Sequence, residues 1–289
     1  MLLRMLVANL VRQTAEKKLY DVVAEAARHR AQSADSEDAS DESQEPMPCD
    51  VAVTFALGIE SGGLVDSMSA CRTVKCPHFL EHTGNIGQQQ IVIAESGVGP
   101  TAAAQATDDL IVIHRPQWVV AAGFAAALTA DVRKGHFIMP NVVVDESGEE
   151  LSVGLQLDDA ENRSLHTGRL LTVDRVVRLP QEKNELRQQF QAVACDMETA
   201  AIAKVCRTHN TGFIAVRIVT DVIDDALPTE IKNLVSQESL AGKLGAAAGA
   251  LWKRPSSVKD MWRLKEEAFR ASEHLAKFLQ GVLPQLTKR

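Results

Sequence analysis

Aromatic residues and positive charges are both scarce in this 289-residue sequence. Phe, Trp and Tyr together make up 4% of it, with a single tyrosine, and 31 Lys and Arg stand against 38 Asp and Glu, for a net charge of −7. Nucleic-acid binding needs a concentrated basic face, and single strands also need aromatic rings on which bases stack. The composition therefore predicts no nucleic-acid partner. With 45% hydrophobic residues it is typical of a globular protein.

The N-terminus lacks a long apolar run, and cysteines are few. The stretch MLLRMLVANLV is too short and too interrupted for a membrane span, and no small-residue cleavage site of a signal peptide follows it. The cysteine count is odd and the positions are dispersed, at Cys49, Cys71, Cys76, Cys195 and Cys206. Scattered cysteines are typical of reduced thiols. We expect a cytoplasmic protein.

The chain divides into four segments by composition. Apolar residues spaced by three and four predict an amphipathic helix over residues 1–30. Residues 31–47 are acidic and rich in serine, which predicts a disordered linker. Residues 48–251 alternate apolar runs with helical patterns, and residues 252–289 carry the apolar stripe of a further, C-terminal helix.

Within residues 48–251, most apolar runs are continuous, as in strands covered on both faces of a sheet. The predicted strands are DVAVTFALG, QIVIAESG, WVVAAG, FIMPNVVV, RLLTV, QAVAC and FIAVRIV. Helical patterns lie between several of them: TAAAQATDDLIVIH, METAAIAKVCRTH and residues 234–251. This alternation predicts an α/β fold, a three-layer α/β/α domain with a mixed, mainly parallel central sheet.

Glycine turns and acids follow several of these strands. Glu60 follows the first strand, SGVGPT begins at Ser96, CDME contains Asp196 and Glu198, and RIVTD ends a strand. Open α/β sheets bind ligands at the carboxyl ends of their strands, and backbone N–H groups of a glycine turn can approach an oxygen. Each feature alone also suits a structural role, such as a helix cap or an ion pair. Their convergence favours a ligand site.

The order of four motifs resembles a known family. SGVG before a helix, then WVVAAGFAAAL, DMETAAIAKVC and RIVTD are together similar to the nucleoside phosphorylase and nucleosidase superfamily, over about residues 50–250. This family includes 5′-methylthioadenosine/S-adenosylhomocysteine nucleosidases and hopanoid-associated nucleoside phosphorylases, and TVDRVVRLPQEKNELR resembles the latter branch. The resemblance implies that residues 48–251 form a catalytic domain without a cofactor. It also implies a small-molecule nucleoside substrate and a homo-oligomer.

The resemblance also implies roles for individual residues. Cleavage of an N-glycosidic bond passes through a ribosyl cation, so it needs a proton for the departing base and negative charge near the sugar. Asp221 matches the general acid of the family, Glu198 the acid that accepts hydrogen bonds from the ribose hydroxyls, and Met197 the thioether against the sugar. The trio Glu60, Ser96 and Arg217 matches the residues that position and activate a water molecule.

Further residues are candidates for contact with the substrate, and at some of these places the sequence departs from the family. Gly97 and Thr220, beside the matched residues, are expected to contact it. The nucleosidases stack a phenylalanine on the purine, but the sequence here has valine near Val177, so that Val177 and Phe124 are the candidates for base contact. The arginines with which phosphorylases hold phosphate are missing from ALGIESGG and WVVAAG, which favours water as the nucleophile.

Three alternatives stay open at this stage. The first is a phosphate-dependent phosphorylase; if it is hopanoid-linked, the N-terminal helix offers a contact with the membrane surface. The second is a nucleoside-binding protein without activity. The third is a metal site of Cys71, Cys76, His78 and His82, although their spacing fits no standard zinc pattern, so that surface histidines and no metal are expected.

Overall fold

The computed structural model describes residues 48–154, 164–228 and 255–286, with side chains from residue 265 in the last range. The predicted N-terminal helix, the acidic linker and the helix over 234–251 lie outside these residues. The helices are α1 (Gly58–Val65), α2 (Pro100–His114), α3 (Pro180–Phe190), α4 (Thr199–His209) and α5 (Pro255–Leu286). Among the described residues, none of these helices has the length and apolar composition to cross a membrane.

The strands of the described residues form one sheet of twelve. They are β1 (Val51–Phe55), β2 (Ser69–Lys75), β3 (Leu80–Ile86), β4 (Gln89–Glu95), β5 (Trp118–Ala127), β6 (Phe137–Ile138), β7 (Val142–Asp145), β8 (Glu150–Ser152), β9 (Leu165–His166), β10 (Arg169–Thr172), β11 (Ala194–Asp196) and β12 (Gly212–Asp221). The main path runs β2-β3-β4-β1-β5-β11-β10-β7-β8, while β12 pairs with β5 and β6, and β6 with β9.

The sheet is mixed, and its centre is parallel. Strand β1 lies between β4 and β5 in parallel, and β12 is parallel to β5 on the latter's other side. Antiparallel pairs occur towards the edges, at β2-β3, β3-β4 and β7-β8, and also where β11 meets the end of β5. Because β1, β4, β5 and β12 are parallel, their carboxyl ends meet at one edge of the sheet.

Helices cover the central strands, which explains their continuous apolar sequences. All five residues of β1 are buried, as are nearly all of the ten residues of β12. Helix α1 packs against α5, and α2 packs against α4. A sheet covered by helices needs apolar residues on both faces, so the alternation of polar and apolar residues is lost. The predicted α/β class with a mixed central sheet is confirmed.

Two local predictions are wrong. FIMPNVVV is not one strand but two, β6 and β7, with Pro140 between them; a proline has no N–H to donate to a sheet ladder. His82 is not a surface histidine but a buried residue of β3. Its Nδ1 lies 2.8 Å from Thr73 Oγ1 and its Nε2 lies 3.2 Å from Glu95 Oε1. These partners on the neighbouring strands satisfy the buried ring.

The C-terminal helix α5 fixes the position of α1. Ser272 Oγ donates to the Glu60 carbonyl oxygen at 3.1 Å and accepts the Gly63 N–H at 3.4 Å. The two helices approach so closely at Gly63 that a Cβ there would lie 3.1 Å from Ala276 Cβ and from the Ser272 carbonyl oxygen. Glycine therefore sets the distance between α5 and the helix that carries Glu60.

We expect Gly63→Leu to destabilise the protein by about 1–3 kcal/mol, because the new side chain overpacks the α1–α5 contact. The matched control is Gly62→Leu on the same helix, since a Cβ at Gly62 meets nothing within 4 Å. Urea unfolding of both variants, followed by circular dichroism, measures the difference. Equal stability of the two variants would show that α5 does not pack closely on α1.

Candidate active site

Arg217 is the buried cation at the carboxyl edge of the sheet. It lies on β12 with 1% of its surface exposed, and its Nη2 lies 2.6 Å from Asp196 Oδ2 and 3.9 Å from Glu198 Oε2. Nη2 and Nε also donate to Thr199 Oγ1, at 2.8 and 3.2 Å. A guanidinium removed from water requires such paired charges and hydrogen bonds, since an unpaired buried charge costs several kcal/mol.

Asp196 joins this cation to the start of α4. It ends β11, and its Oδ1 accepts the Thr172 hydroxyl at 2.7 Å. Its Oδ2 accepts the Thr199 N–H at 3.1 Å and also the Thr199 hydroxyl. Asp196 therefore satisfies a free N–H group at the helix terminus and neutralises Arg217 at the same time.

Glu198 does not use its carboxylate to cap α4, although it occupies the N-cap position. Its Oε1 instead accepts the Gly99 N–H of the SGVG turn at 2.9 Å. The structural alternative of helix capping thus applies to Asp196 and not to the Glu198 side chain. The contact brings the turn after β4 and the start of α4 together. Met197, between the two acids, is half-buried.

The SGVG turn itself is held against the end of β1. The backbone N–H of Ser96 donates to the Phe55 carbonyl oxygen at 2.8 Å, and that of Gly97 donates to the Ala56 carbonyl oxygen at 3.0 Å. The Ser96 hydroxyl lies 3.2 Å from the Phe55 oxygen and 2.8 Å from the Gly97 oxygen. Ser96 is buried and in reach of backbone acceptors, so that it positions the turn.

Glu60 is held by three backbone N–H groups. Its Oε2 accepts from Ala56 and Leu57, at 3.1 and 2.9 Å, and its Oε1 accepts from Phe124 at 2.9 Å. Burial raises the pKa of Glu60 above its usual range, while Arg217 and the N–H donors act in the opposite direction. These donors fix the carboxylate between the end of β1 and Phe124 of β5.

Gly123 lies between Glu60 and Arg217. It is directly opposite Arg217 in the β5–β12 register, with a φ of +150°. A Cβ at this position would lie 2.5 Å from Arg217 Nη1 and 2.9 Å from Glu60 Oε1. The absence of a side chain at residue 123 therefore allows the carboxylate and the guanidinium to approach the same point.

Three carboxylates around one guanidinium cannot all ionise easily. Burial, together with the charges of Asp196 and Glu60, raises the pKa of Glu198 from 4.5 to about 8, against the attraction of Arg217. Glu198 therefore takes up a proton more readily than a free glutamate does. Such a displaced carboxyl in a buried cluster is typical of a functional site.

Asp221 contacts a residue that the sequence did not indicate. Its Oδ2 accepts from Lys183 Nζ at 2.7 Å, and Nζ also donates to the carbonyl oxygens of Val222 at 2.6 Å and Asp225 at 3.2 Å. Burial raises the pKa of Asp221, and Lys183 opposes this rise. Lys183 is completely buried although α3 is otherwise polar; its spacing of three from the buried Leu186 is the one signal in the sequence.

A bulge sets the orientation of Asp221. In β12, Val219 pairs with Ala125 and Asp221 pairs with Ala126, so that two residues of β12 advance while β5 advances by one. Thr220 is the additional residue, and its hydroxyl lies 3.3 Å from Asp221 Oδ1. Bulges turn a side chain away from the face that alternation gives it and are common beside active sites.

The structure thus brings together Glu60, Arg217, Glu198, the Ser96–Gly97 turn and the Phe124 backbone, with Asp221 and Thr220 further along β12. Val177 lies in a separate apolar cluster with Leu171, Leu186 and Cys195. Phe124 is half-buried and packs against the main core. Substrate contact by Val177, Phe124, Met197 and Thr220 stays a prediction.

The metal alternative finds no geometric support. Cys71 and His78 are exposed, whereas His82 is buried with Thr73 and Glu95 as its partners. Within the part of the chain that the structure describes, no three His, Cys, Asp or Glu side chains are grouped so that they could hold a metal ion.

The family resemblance implies acids at the carboxyl edge of an α/β sheet, where the buried carboxylates lie. Comparison with family models identifies the family. The model of the Phosphorylase superfamily matches residues 51–161 and 151–248. The chain belongs to this superfamily.

Individual relatives are nucleosidases. The chain is 25% identical over 197 residues to the 5′-methylthioadenosine/S-adenosylhomocysteine nucleosidase of Hydrogenovibrio crunogenus, which covers 60% of this chain and 85% of that protein. The nucleosidase of the same name from Helicobacter pylori has a similar structure, with a TM-score of 0.63 at 16% identity, over 82% of this chain and 98% of that one. That from Neisseria meningitidis, in complex with methylthio-immucillin-A, gives 0.59 at 20% identity, over 82% and 99%. The two structures show the same fold.

We expect Gly123→Ala to abolish the approach of Glu60 to Arg217, because the methyl group would overlap Nη1. Activity should fall at least about 10²-fold, the effect of a misplaced catalytic group. Gly135→Ala is the matched control: its φ is also positive, at +79°, but its Cβ would meet nothing within 4 Å. Turnover and thermal unfolding are measured for both, and equal activity of the two variants would contradict this role of Gly123.

We expect the stability of the protein to fall between pH 4.5 and about 8 in part because of Glu198, whose pKa is raised to about 8 in the folded state. The native state binds the proton more tightly than the unfolded chain, so this stabilisation is complete below pH 4.5 and is lost as the pH rises through 8. Glu198→Gln should remove this dependence. Urea unfolding at pH 5 and pH 8 measures it; a parallel loss of stability in variant and wild type would refute the assignment.

Proposed function

We propose that this protein hydrolyses the N-glycosidic bond of a purine nucleoside and releases the free base. The observation that carries this function is the Glu60–Arg217–Glu198 cluster, which is buried and lies at the edge where parallel strands bind ligands. The membership in the superfamily and the names of the relatives support the same reaction.

Glu60 is the base that activates the water molecule. Three N–H groups fix its carboxylate, and burial raises its pKa towards the range in which a carboxylate accepts a proton near neutral pH. Arg217, on the other side of Gly123, stabilises the ionised Glu60 carboxylate before this carboxylate takes the proton of the water molecule. Ser96 holds the adjacent turn in place.

Glu198 is the acid that accepts hydrogen bonds from the ribose hydroxyl groups. Its Oε1 accepts the Gly99 N–H, while its Oε2 lies 3.9 Å from Arg217 Nη2. A carboxylate near the sugar stabilises the positive charge that develops there in the transition state. Met197 packs beside the same sugar, since its thioether is uncharged and polarizable.

The charges at the site favour water over phosphate as the nucleophile. Asp196 and Thr199 already bind Arg217 Nη2, and three carboxylates surround this guanidinium. A phosphate dianion in the cluster would be repelled by these carboxylates and would find the bidentate face of the arginine partly occupied. A neutral water molecule meets neither obstacle.

The substrate class we propose is a 5′-substituted adenosine, such as 5′-methylthioadenosine or S-adenosylhomocysteine, after the relatives. The test is release of the free base from these two nucleosides, adenosine and inosine, each with and without phosphate. Release that is independent of phosphate supports hydrolysis, with an unphosphorylated sugar as the second product: ribose from adenosine and inosine, and the 5-substituted ribose from the other two nucleosides. Release that requires phosphate would overturn it in favour of the phosphorylase, and no release from any nucleoside would leave a binding protein.

We expect Glu60→Gln to lower kcat by roughly 10²–10⁴-fold, the usual effect of losing a general base, with little change of KM. Glu81→Gln is a matched control. Glu81 is about as buried as Glu60, but its partner is His114, which is not a member of the Glu60–Arg217–Glu198 cluster. Initial rates of base release measure both. A Glu60→Gln variant with the rate of the control would mean that another group activates the water.

A further inference from the structure

Lys183 is a second buried cation, and it has no role in the reaction proposed above. Its side chain is completely inaccessible, and its Nζ contacts Asp221 Oδ2 and two carbonyl oxygens, so that all three ammonium protons have acceptors. It reaches this position from α3, a helix that carries none of the predicted site residues. Burying an ammonium group is costly, and an apolar residue on this face of α3 would pack without that cost.

The pair poses a problem for acid catalysis by Asp221. A general acid must carry a proton at the moment when the bond to the base breaks. A lysine at 2.7 Å favours the ionised carboxylate, and so it opposes the burial that raises the pKa of Asp221. Asp221 alone therefore does not explain how the departing purine is protonated.

We propose that Lys183 and Asp221 hold one proton in common, and that Lys183 is the positioning residue that supplies this proton to Asp221 as the base departs. This inference rests on the proposed hydrolysis and specifies how its acid step is driven. Lys183 itself does not touch the substrate; it acts through the Asp221 carboxyl.

The step balances as follows for atoms and charge. The pair starts as the Lys183 ammonium and the Asp221 carboxylate. The C1′–N9 bond breaks with its electron pair moving to the purine, and one proton passes from Lys183 to Asp221 and from Asp221 to N7 of the purine, so that Asp221 ends as a carboxylate. Water gives its hydroxyl to C1′ and its proton to Glu60. The site ends with neutral Lys183 and protonated Glu60, and solvent restores both when the products leave.

The surroundings of the pair suit a shared proton. Asp225, in the turn after β12, contributes its carbonyl oxygen to Lys183, while its own carboxylate is 3.1 Å from Lys134. Cys195 on β11 also lies near both charges, but burial raises the pKa of its thiol so strongly that it stays neutral. Glu182, next to Lys183 on α3, directs its carboxylate to Arg175 at 3.1 Å. Of these groups, Asp221 is the carboxylate in direct contact with Nζ.

The test compares two substrates across pH for wild type and Lys183→Met. One substrate is the nucleoside that the enzyme hydrolyses; the other is its N7-methylated form, whose base departs without needing a proton. In the wild type, Lys183 Nζ at 2.7 Å can pass a proton to Asp221. In the variant, Asp221 alone must keep the proton, and a carboxyl loses it at a lower pH than an ammonium.

We therefore expect the alkaline limb of the kcat profile of Lys183→Met to move to lower pH by at least about one unit, with a loss of roughly 10²-fold in kcat at pH 9. KM should change little, and hydrolysis of the N7-methylated nucleoside should stay within about threefold of the wild type. Lys183→Gln, which can still donate to a carbonyl oxygen, gives the same comparison if the Met variant folds poorly. Lys204→Met removes a more exposed lysine ion pair, with Asp145 and Glu149, and should leave both profiles unchanged.

The outcomes separate this inference from the proposed function. An unchanged pH profile, or an equal loss on both substrates, would overturn the role of Lys183 and show that it only supports the fold. A further loss on the natural substrate when Lys183→Met is added to Asp221→Asn would also overturn it, because Lys183 would then act independently of Asp221. Wild-type protein that cleaves neither substrate would overturn the proposed hydrolysis and this inference with it.

Discussion

The burial of Arg217 is the constraint on which the site depends. A guanidinium with 1% exposure has lost its water, and the protein must replace that water with carboxylates and hydroxyl groups in fixed places. Asp196 provides the close ion pair and Thr199 the further acceptor, both at the junction of β11 and α4. Gly123 leaves the space that the guanidinium occupies. The start of α4, the end of β11 and the middle of β12 are consequently fixed relative to one another.

The same burial gives the carboxylates their chemistry. Burial raises the pKa of both Glu60 and Glu198, in the case of Glu198 to about 8. Backbone N–H groups rather than flexible side chains hold Glu60, which fixes its direction before any substrate binds. Helix α5 extends this support, because Ser272 binds the carbonyl of Glu60 itself.

Strand β12 carries two separate charge systems. Arg217 belongs to the carboxylate cluster of β11 and α1, whereas Asp221, four residues later, belongs to the lysine of α3. Strict alternation would place both side chains on one face of the strand, and the bulge at Thr220 changes this. The strand thus keeps the Asp221–Lys183 ion pair apart from the carboxylates around Arg217.

The α/β class, most strands and the acids at the strand ends could be predicted from local sequence, because apolar runs, glycine turns and charged residues are local signals. Assigning roles to Glu60, Glu198 and Arg217 needed the order of four motifs and a family that they resemble. The break at Pro140 is also a local signal, because proline has no N–H to donate. The burial of His82 and the partnership of Lys183 with Asp221 could not be predicted in this way. Each depends on packing between elements that are distant in the chain. The hydrogen-bond partner of such a buried polar residue is therefore determined only by the folded structure.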